Sequence, residues 1–174
     1  MEVLISIILL AVAVALLFVI IMGIFYAVDA LLELPYVGAK KESVEAIIKL
    51  ADIQKGETVV DLGSGDGRLL FKAADAGAFG VGYEINPFLI IIAKIKRSLK
   101  GYDQEVKILN QSIWKADLKV ADVIFVYSLK KKMPKFEDFV FKNATKGTRV
   151  IANTNPFPNK NPTKSKDKIF LYIV

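Results

Sequence analysis

Two acids and three glycines form the part of this sequence whose residue types and spacing could do chemistry. Asp61 ends an apolar run, Gly63, Gly65 and Gly67 follow at alternate positions, and Glu84 ends a second apolar run. Glycines let the backbone turn close to a ligand, and a helix that begins after such a turn points its N-terminus at that ligand. A carboxylate at the end of the neighbouring strand can accept hydrogen bonds from the hydroxyls of a ribose. The pattern therefore predicts a site for an adenosine-containing ligand.

The glycine spacing narrows the class of ligand. A dinucleotide site has the spacing G-x-G-x-x-G, whereas this chain has G-x-G-x-G, with Asp61 two residues before the first glycine. A P-loop is excluded because no Gly-Lys-Ser/Thr follows the glycines. A strand-to-helix turn without a ligand is the plain structural alternative. The spacing favours S-adenosyl-L-methionine, the sulfonium methyl donor, as the cofactor.

Helical and strand patterns alternate along the chain around these residues. The predicted strands are Thr58–Leu62, Phe79–Ile85, Val106–Leu109, Asp122–Tyr127, Thr148–Asn153 and Ile169–Val174. The predicted helices are Glu42–Ala51, Arg68–Ala76, a helix capped by Asn86 that ends near Leu99, and Pro134–Asn143. The polar stretch Asn159–Lys168 is interpreted as a solvated loop. We expect an α/β fold, a mostly parallel sheet with helices on both faces and a site at the carboxyl ends of the strands.

The N-terminal segment predicts a membrane anchor. Of the first 33 residues 28 are hydrophobic, and the stretch from Val3 to Val28 carries no charge. At 1.5 Å per residue such a helix is about 39 Å long, enough to cross a hydrocarbon core of about 30 Å. A cleaved signal peptide is the alternative, but the run is longer than a signal needs and no base precedes it. We therefore divide the chain into a transmembrane anchor, residues 1–33, and a catalytic domain, residues 34–174.

Charge suggests how the chain is oriented in a membrane. All 24 Lys and Arg lie after residue 33, against 15 acids there, so this part carries about +9 and should face the cytoplasm. A basic face suits anionic lipid, although nucleic acid or an acidic protein is also compatible. The chain has no Cys and no His, which argues against disulfides, an ordinary zinc site, a cysteine nucleophile and an imidazole base. We expect no metal.

The assembled motifs resemble class I methyltransferases. More narrowly, the chain resembles the membrane-anchored protein-lysine methyltransferases that act on the ATP synthase c subunit and the adenine nucleotide translocase, together with their prokaryotic relatives. The shared features are the N-terminal span, Pro-Tyr-Val at 35–37, Asp-Leu-Gly-Ser-Gly-Asp-Gly-Arg at 61–68, Gly-x-Glu at 82–84, Trp-Lys at 114–115 and Gly-Thr-Arg-Val at 147–150. The resemblance implies a Rossmann-like class I fold.

The resemblance also assigns the cofactor site. It implies that Asp61 and the glycines shape the pocket for the methionine part and that Glu84 binds the ribose. Ser112 stands where the family usually has the acid that accepts a hydrogen bond from adenine, so Ser112, Asn110 or Gln111 would accept that bond here. The full set of candidate cofactor-binding residues is Tyr36, Asp61, Leu62, Gly63, Ser64, Gly65, Asp66, Gly67, Glu84, Ile85, Asn86, Asn110, Gln111, Ser112 and Ile113.

Methyl transfer needs alignment of a neutral nucleophile with the methyl group more than it needs a strong acid or base. A lysine nucleophile must lose its proton, which a sulfonium charge and an apolar channel both favour. The candidate catalytic residues are Tyr127, Ser128 and Asn153, lining that channel, and Tyr36 could line it too. A membrane-associated protein is the expected substrate. Alternatives are a lipid, a quinone or another small membrane-partitioned molecule, then a nucleic acid, which is disfavoured, or a scaffold that binds the cofactor without catalysis.

Overall fold

The computed structural model describes residues 1–31 and 41–174. The chain divides into two compact units, Met1–Tyr36 and Val37–Val174. The division predicted at residue 33 falls outside the described residues and stays a prediction.

The N-terminal unit is built on one long helix, α1 (Glu2–Leu31). Its apolar side chains from Val3 to Ile21 are exposed, as is that of Ile24, whereas Met22 is half-buried. The segment Glu2–Ile24 is long and apolar enough to cross a bilayer, by length and composition. A signal sequence passes the same test.

Alternating helices and strands make up the second unit, as the periodicity predicted. The elements are α2 (Lys41–Ala51), β1 (Thr58–Leu62), α3 (Arg68–Asp75), β2 (Phe79–Glu84), α4 (Pro87–Leu99), β3 (Val106–Asn110), β4 (Val123–Tyr127), α5 (Met133–Asn143), β5 (Arg149–Asn153), β6 (Lys164–Lys166) and β7 (Ile169–Ile173). Short 3-10 turns lie at Ile113–Lys115 and Lys130–Lys132. The predicted cap of α4 is confirmed, because the Asn86 side chain accepts a hydrogen bond from Phe88 N and Pro87 opens the helix.

The strands form one seven-stranded sheet in the order β3-β2-β1-β4-β5-β7-β6. The first five of these strands run parallel, whereas β7 is antiparallel to β5 and β6 is antiparallel to β7. The chain builds outward from β1 to β3 and then returns to place β4 on the other side of β1. The carboxyl ends of β1 and β4 therefore flank the crevice where open α/β sheets bind ligands.

Helices cover both faces of this sheet, as expected. Residues of α2, α3 and α4 pack with alternate strand residues in one buried cluster, which includes Ile47, Leu70, Ile90, Val59 and Phe125. On the other face α5 buries Phe136 and Val140, and Trp114 packs on Phe136 with ring centroids 4.9 Å apart. The predicted α/β fold with a mostly parallel sheet is confirmed.

The interpretation of Asn159–Lys168 as a loop throughout was wrong in part. Lys164–Lys166 forms the edge strand β6, joined to β7 by a two-residue turn whose residues Asp167 and Lys168 have φ values of 51° and 63°. Two consecutive positive φ values are typical of a type I′ hairpin turn, which usually contains Asn-Gly. The hairpin was missed because an exposed edge strand needs no apolar residues and Asp-Lys is a weak signal for this turn.

Candidate functional site

The structure brings most of the predicted site residues to one edge of the sheet. Glu84 at the end of β2 lies in register with Asn110 at the end of β3. Tyr127 at the end of β4 lies in register with Asn153 at the end of β5. The glycine-rich segment 63–67 leaves the end of β1 between these two pairs. Tyr36 lies outside the described residues, so its assignment stays a prediction.

The segment 63–67, here called the glycine loop, needs glycine for its backbone conformation. Gly63, Gly65 and Gly67 have φ values of 98°, 54° and 81°, in the left-handed region where other residues are strained. The N–H groups of Gly63 and Ser64 both donate to the Tyr83 carbonyl oxygen, at 3.0 and 3.1 Å. These bonds hold the loop against β2, and Gly67 then begins α3 as its N-cap.

Gly82 lets the glycine loop approach β2 closely. A Cβ atom at Gly82 would lie 2.5 Å from Ser64 Oγ and 2.7 Å from Leu70 Cδ1. Distances this short cannot be accommodated without displacement of the loop or of α3. The glycine of the Gly-x-Glu motif is therefore needed for packing, which the sequence reasoning did not identify.

The carboxylate of Glu84 fixes the shape of the loop. Its Oε2 accepts a hydrogen bond from Gly65 N at 2.9 Å, and its Oε1 accepts from Ile85 N and Asn86 N, both at 2.8 Å. An ionised carboxylate offers about four acceptor positions. With three of them used by the backbone, acceptor capacity remains on Oε2 for a ligand hydroxyl. Glu84 thus connects the glycine loop to the segment that follows β2. It is also the candidate ribose ligand.

Asp61 is a buried acid at the base of the site. Burial, followed by the nearby carboxylates of Glu84 and Asp66, raises its pKa to about 8. No lysine or arginine in the part of the chain that the structure describes pairs with it. A positively charged ligand group beside Asp61 would stabilise the ionised form. The residue therefore fits a cofactor such as S-adenosyl-L-methionine, whose sulfonium and amino groups are cationic.

Asp66 has a different environment, although it lies in the glycine loop that directly follows the strand of Asp61. Its carboxylate contacts Arg68 Nε at 2.8 Å and Lys96 Nζ at 2.6 Å. Burial works against ionisation, but the hydrogen bonds from Arg68 and Lys96 outweigh it and lower the pKa to about 2. The side chain thus ties the glycine loop to α3 and α4. Its assignment as a cofactor ligand stays a prediction, and the structure places its oxygens on the chain's own cations.

Four further cofactor candidates lie near Glu84, at the end of β3 and in the segment that follows it. They are Asn110, Gln111, Ser112 and Ile113. Gln111 N donates to the Glu84 carbonyl oxygen at 3.0 Å, which aligns the start of this segment with β2. Ser112 precedes the 3-10 turn and its side chain makes no capping hydrogen bond. Asn110 is exposed, Gln111 and Ser112 are half-buried and Ile113 is buried. The segment offers amide and hydroxyl oxygens, which can accept a hydrogen bond from the amine of an adenine ring.

Two other predicted residues serve structural roles that are visible in the fold. Leu62 is buried at the end of β1. Asn86 is buried, and its side-chain oxygen caps α4 while its backbone N–H donates to Glu84. The half-buried Ile85 lies between Glu84 and this cap. Ile85 and Asn86 support the position of Glu84 through their N–H groups, whereas Leu62 belongs to the core. The contact of all three residues with a cofactor stays a prediction.

The three candidate catalytic residues lie together at the carboxyl ends of β4 and β5. Tyr127 and Asn153 are half-buried, and Ser128 is buried with an Oγ that has no hydrogen-bond partner among the described residues. Two residues that the sequence reasoning missed also lie here. Asn155 Nδ2 donates to the Ser128 carbonyl oxygen at 2.8 Å, and Thr154 has a φ of 72°. A β-branched residue in the left-handed region is strained, and such strain is concentrated at functional sites.

Comparison with known proteins gives three close similarities. Residues 61–164, more than half of the chain, match the ANTKMT methyltransferase domain. The Rattus norvegicus lysine N-methyltransferase of the ATP synthase c subunit is 33% identical over 74% of this chain and 59% of its own length. The adenine nucleotide translocase lysine N-methyltransferase of Mus musculus is 30% identical over 86% of this chain and 67% of its own length. The chain thus spans little more than half the length of the first of these relatives.

A solved structure gives the same fold. The RNA methyltransferase from Salinibacter ruber, in complex with S-adenosyl-L-homocysteine, superposes with a TM-score of 0.76 and 29% sequence identity. The alignment covers 79% of this chain and 93% of that one. The family match includes Asp61, the glycine loop and Glu84, and the superposed relative binds the demethylated form of the expected cofactor. Sequence, site and fold agree, and the chain belongs to the ANTKMT methyltransferase domain family.

Proposed function

We propose that this chain is an S-adenosyl-L-methionine-dependent protein-lysine N-methyltransferase, anchored in a membrane by α1, that acts on a membrane-associated protein. The observation that carries the proposal is the buried Asp61, without a cationic partner among the described residues, beside the glycine loop and Glu84. The family supplies the acceptor class, since relatives that cover most of this chain carry the names of lysine N-methyltransferases.

Different residues of the chain would bind the cofactor and the methyl acceptor. Asp61 and the glycine loop would hold the methionine part, Glu84 the ribose, and the 110–113 segment the adenine. The bound cofactor supplies an activated methyl group on a sulfonium. Tyr127, Ser128 and Asn153 would orient the lysine so that its amine lies in line with that methyl. Alignment of this kind can contribute about 7–11 kcal/mol to lowering the barrier. The lysine ammonium would have to lose its proton, to water, to become the neutral nucleophile that methyl transfer requires.

The membrane part of the proposal is supported by α1 and by charge. Glu2–Ile24 is long enough to span a bilayer, and all 24 bases follow residue 33. Bases concentrate on the cytoplasmic side of membrane proteins, so the methyltransferase domain would face the cytoplasm. A tether also raises the effective concentration of a target in the same membrane.

A methyl-transfer assay tests the proposal. Purified full-length protein is incubated with tritium-labelled methyl donor and with membranes from a strain that lacks this protein. Protein, lipid and RNA are then separated. We expect label in a small membrane protein, on lysine once the modified residue is mapped. Glu84→Ala should abolish the label, whereas Asp138→Ala, a change of an exposed acid on α5, should leave it unchanged.

The same fractions test the other candidates. Label in extractable lipid would replace the protein substrate with a lipid or a quinone. Label in RNA would favour the activity named for the Salinibacter ruber relative. Cofactor binding without label in any fraction would favour a non-catalytic scaffold and contradict the proposal.

A further inference from the structure

Helix α4 is apolar on two opposite sides. Leu89, Ile90 and Ala93 are buried toward the sheet. On the opposite side Ile91, Ile92, Ile95 and Leu99 are 56%, 40%, 55% and 82% exposed. Residues three or four apart lie on adjacent turns of one helix face, so these four side chains form a continuous strip. We call this surface the α4 strip.

A surface helix ordinarily places polar residues on the side away from the core. In α4 that side is aliphatic, and such a contiguous exposed patch usually marks an interaction site. The α4 strip is flanked by bases. At 100° per residue, Lys94 lies on one side of it and Lys96, whose ammonium pairs with Asp66, lies on the other; Lys100 follows the end of the helix. No acid occurs between Pro87 and Lys100.

We propose that the α4 strip docks onto an anionic lipid bilayer, with Ile91, Ile95 and Leu99 entering the headgroup region and Lys94 and Lys100 contacting lipid phosphates. The inference rests on the proposed membrane anchor, which brings the bilayer within reach. From Leu31 to Lys41 the chain can extend at most about 36 Å, so the methyltransferase domain stays near the surface. Apolar side chains flanked by lysines are the composition with which interfacial helices bind anionic lipid.

Charge also argues against a second copy of the chain as the occupant. In a two-fold dimer each α4 strip would face another, and the bases flanking one strip would approach those flanking the other. Like charges at a desolvated interface are unfavourable. Anionic lipid instead attracts the same lysines, in line with the charge of about +9 after residue 33.

Single-cysteine labelling of the full chain tests this docking. The natural sequence contains no Cys, so one fluorophore can be placed at Ile95→Cys on the α4 strip, or at Lys142→Cys, an exposed position on α5 across the sheet, as the matched control. Each protein is reconstituted at one copy per lipid nanodisc, with anionic or with zwitterionic lipid. Quenching by acrylamide, which is uncharged and stays in water, reports the exposure of each label.

We expect the quenching constant at position 95 to fall about threefold or more in anionic discs relative to zwitterionic discs, and to recover in high salt. The constant at position 142 should not change. Ile91→Gln combined with Leu99→Gln should restore quenching at position 95 without lowering the thermal stability of the domain.

Three results would overturn the docking proposal. Equal protection in both lipids would mean that protein, such as the chain's own N-terminal segment, covers the α4 strip. An exposed label in a chain stably inserted in discs would refute docking while leaving the anchor intact. Failure of the chain to insert into discs would refute the anchor and docking together, without bearing on methyl transfer itself.

Discussion

Replacement of Asp61 by asparagine should stabilise the methyltransferase domain while weakening cofactor binding. Asp61 is buried, and its pKa is raised from 3.8 to about 8 by burial and by the carboxylates of Glu84 and Asp66. In the unfolded chain the group is ionised at neutral pH. Folding must therefore either bury a charge or take up a proton, and both cost free energy. Asparagine has nearly the same shape and avoids this cost.

The size of the effect follows from the pKa shift. At pH 7 Asp61 is protonated in the folded state but ionised in the unfolded state, whose pKa is 3.8. The interval from this pKa to pH 7 is about three pH units. At about 1.4 kcal/mol per unit, the cost to the free energy of unfolding has an upper limit of about 4 kcal/mol. Rearrangement and water reduce such penalties, so we expect a gain of about 2 kcal/mol. Because the folded pKa is raised, wild-type stability is lost as pH rises from about 4 toward 8. The advantage of Asp61→Asn should grow over the same range.

Denaturant unfolding of the full chain in detergent, without added cofactor, measures this difference. Trp114 is the only tryptophan and packs between Phe136 and Phe139, so its fluorescence reports unfolding of the methyltransferase domain alone. Binding of the cofactor to Asp61→Asn, measured by calorimetry, should weaken by about tenfold or more because a charge-assisted contact is lost.

Asp66→Asn is the matched control, with the opposite sign. The pKa of Asp66 is lowered to about 2, so its contribution to stability is present above about pH 4 and is lost as pH falls toward 2. Its partners Arg68 and Lys96 are 40% and 44% exposed, which limits the loss to about 1 kcal/mol. If Asp61→Asn lowered stability at every pH, Asp61 would be stabilised by a contact in the folded chain and the reasoning from burial would be refuted.

Three other perturbations test the site. Gly82→Ala should destabilise the domain by about 1–3 kcal/mol, because the added Cβ would lie 2.5 Å from Ser64 Oγ. Gly80→Ala should cost less, because the atom nearest to its added Cβ would be 3.2 Å away. Equal losses of stability in denaturant unfolding would contradict this. Glu84→Gln should lose at least one of the three backbone hydrogen bonds to this side chain, because the amide nitrogen cannot accept; stability should fall by about 1–3 kcal/mol and cofactor affinity should fall as well. Tight binding by calorimetry would rule out that role. Cofactor affinity should rise with pH toward about 8, with proton release, because a cationic ligand favours ionised Asp61; a flat profile in calorimetric titrations between pH 6 and 9 would argue against the contact.

Sequence patterns that act over a few residues predicted much of the fold. The strand Thr58–Leu62 and the helix capped by Asn86 were predicted with the observed bounds, and the other strands of the parallel sheet within one or two residues. Apolar periodicity, caps and glycine turns are local, so they can be identified without knowledge of the partners. The glycine loop was identified for the same reason.

Pairing across the sheet and burial were decided by the tertiary structure. The hydrogen bond from Gly65 to Glu84 joins residues 19 apart, and that from Lys96 to Asp66 joins residues 30 apart. No local pattern distinguishes Asp61, which has no cationic partner among the described residues, from Asp66, which has two. The opposite pKa shifts of two acids only five residues apart therefore depend on which elements pack around them.

The sequence by itself thus determined the chemistry that the chain carries, because an acid, spaced glycines and a second acid suit few ligands. The tertiary structure decided how each of those groups is used. It made Glu84 a support of the glycine loop, required a glycine at position 82 and left the aliphatic side of α4 exposed. These features arise from contacts between distant segments, whose free energies depend on the whole fold rather than on neighbouring residues.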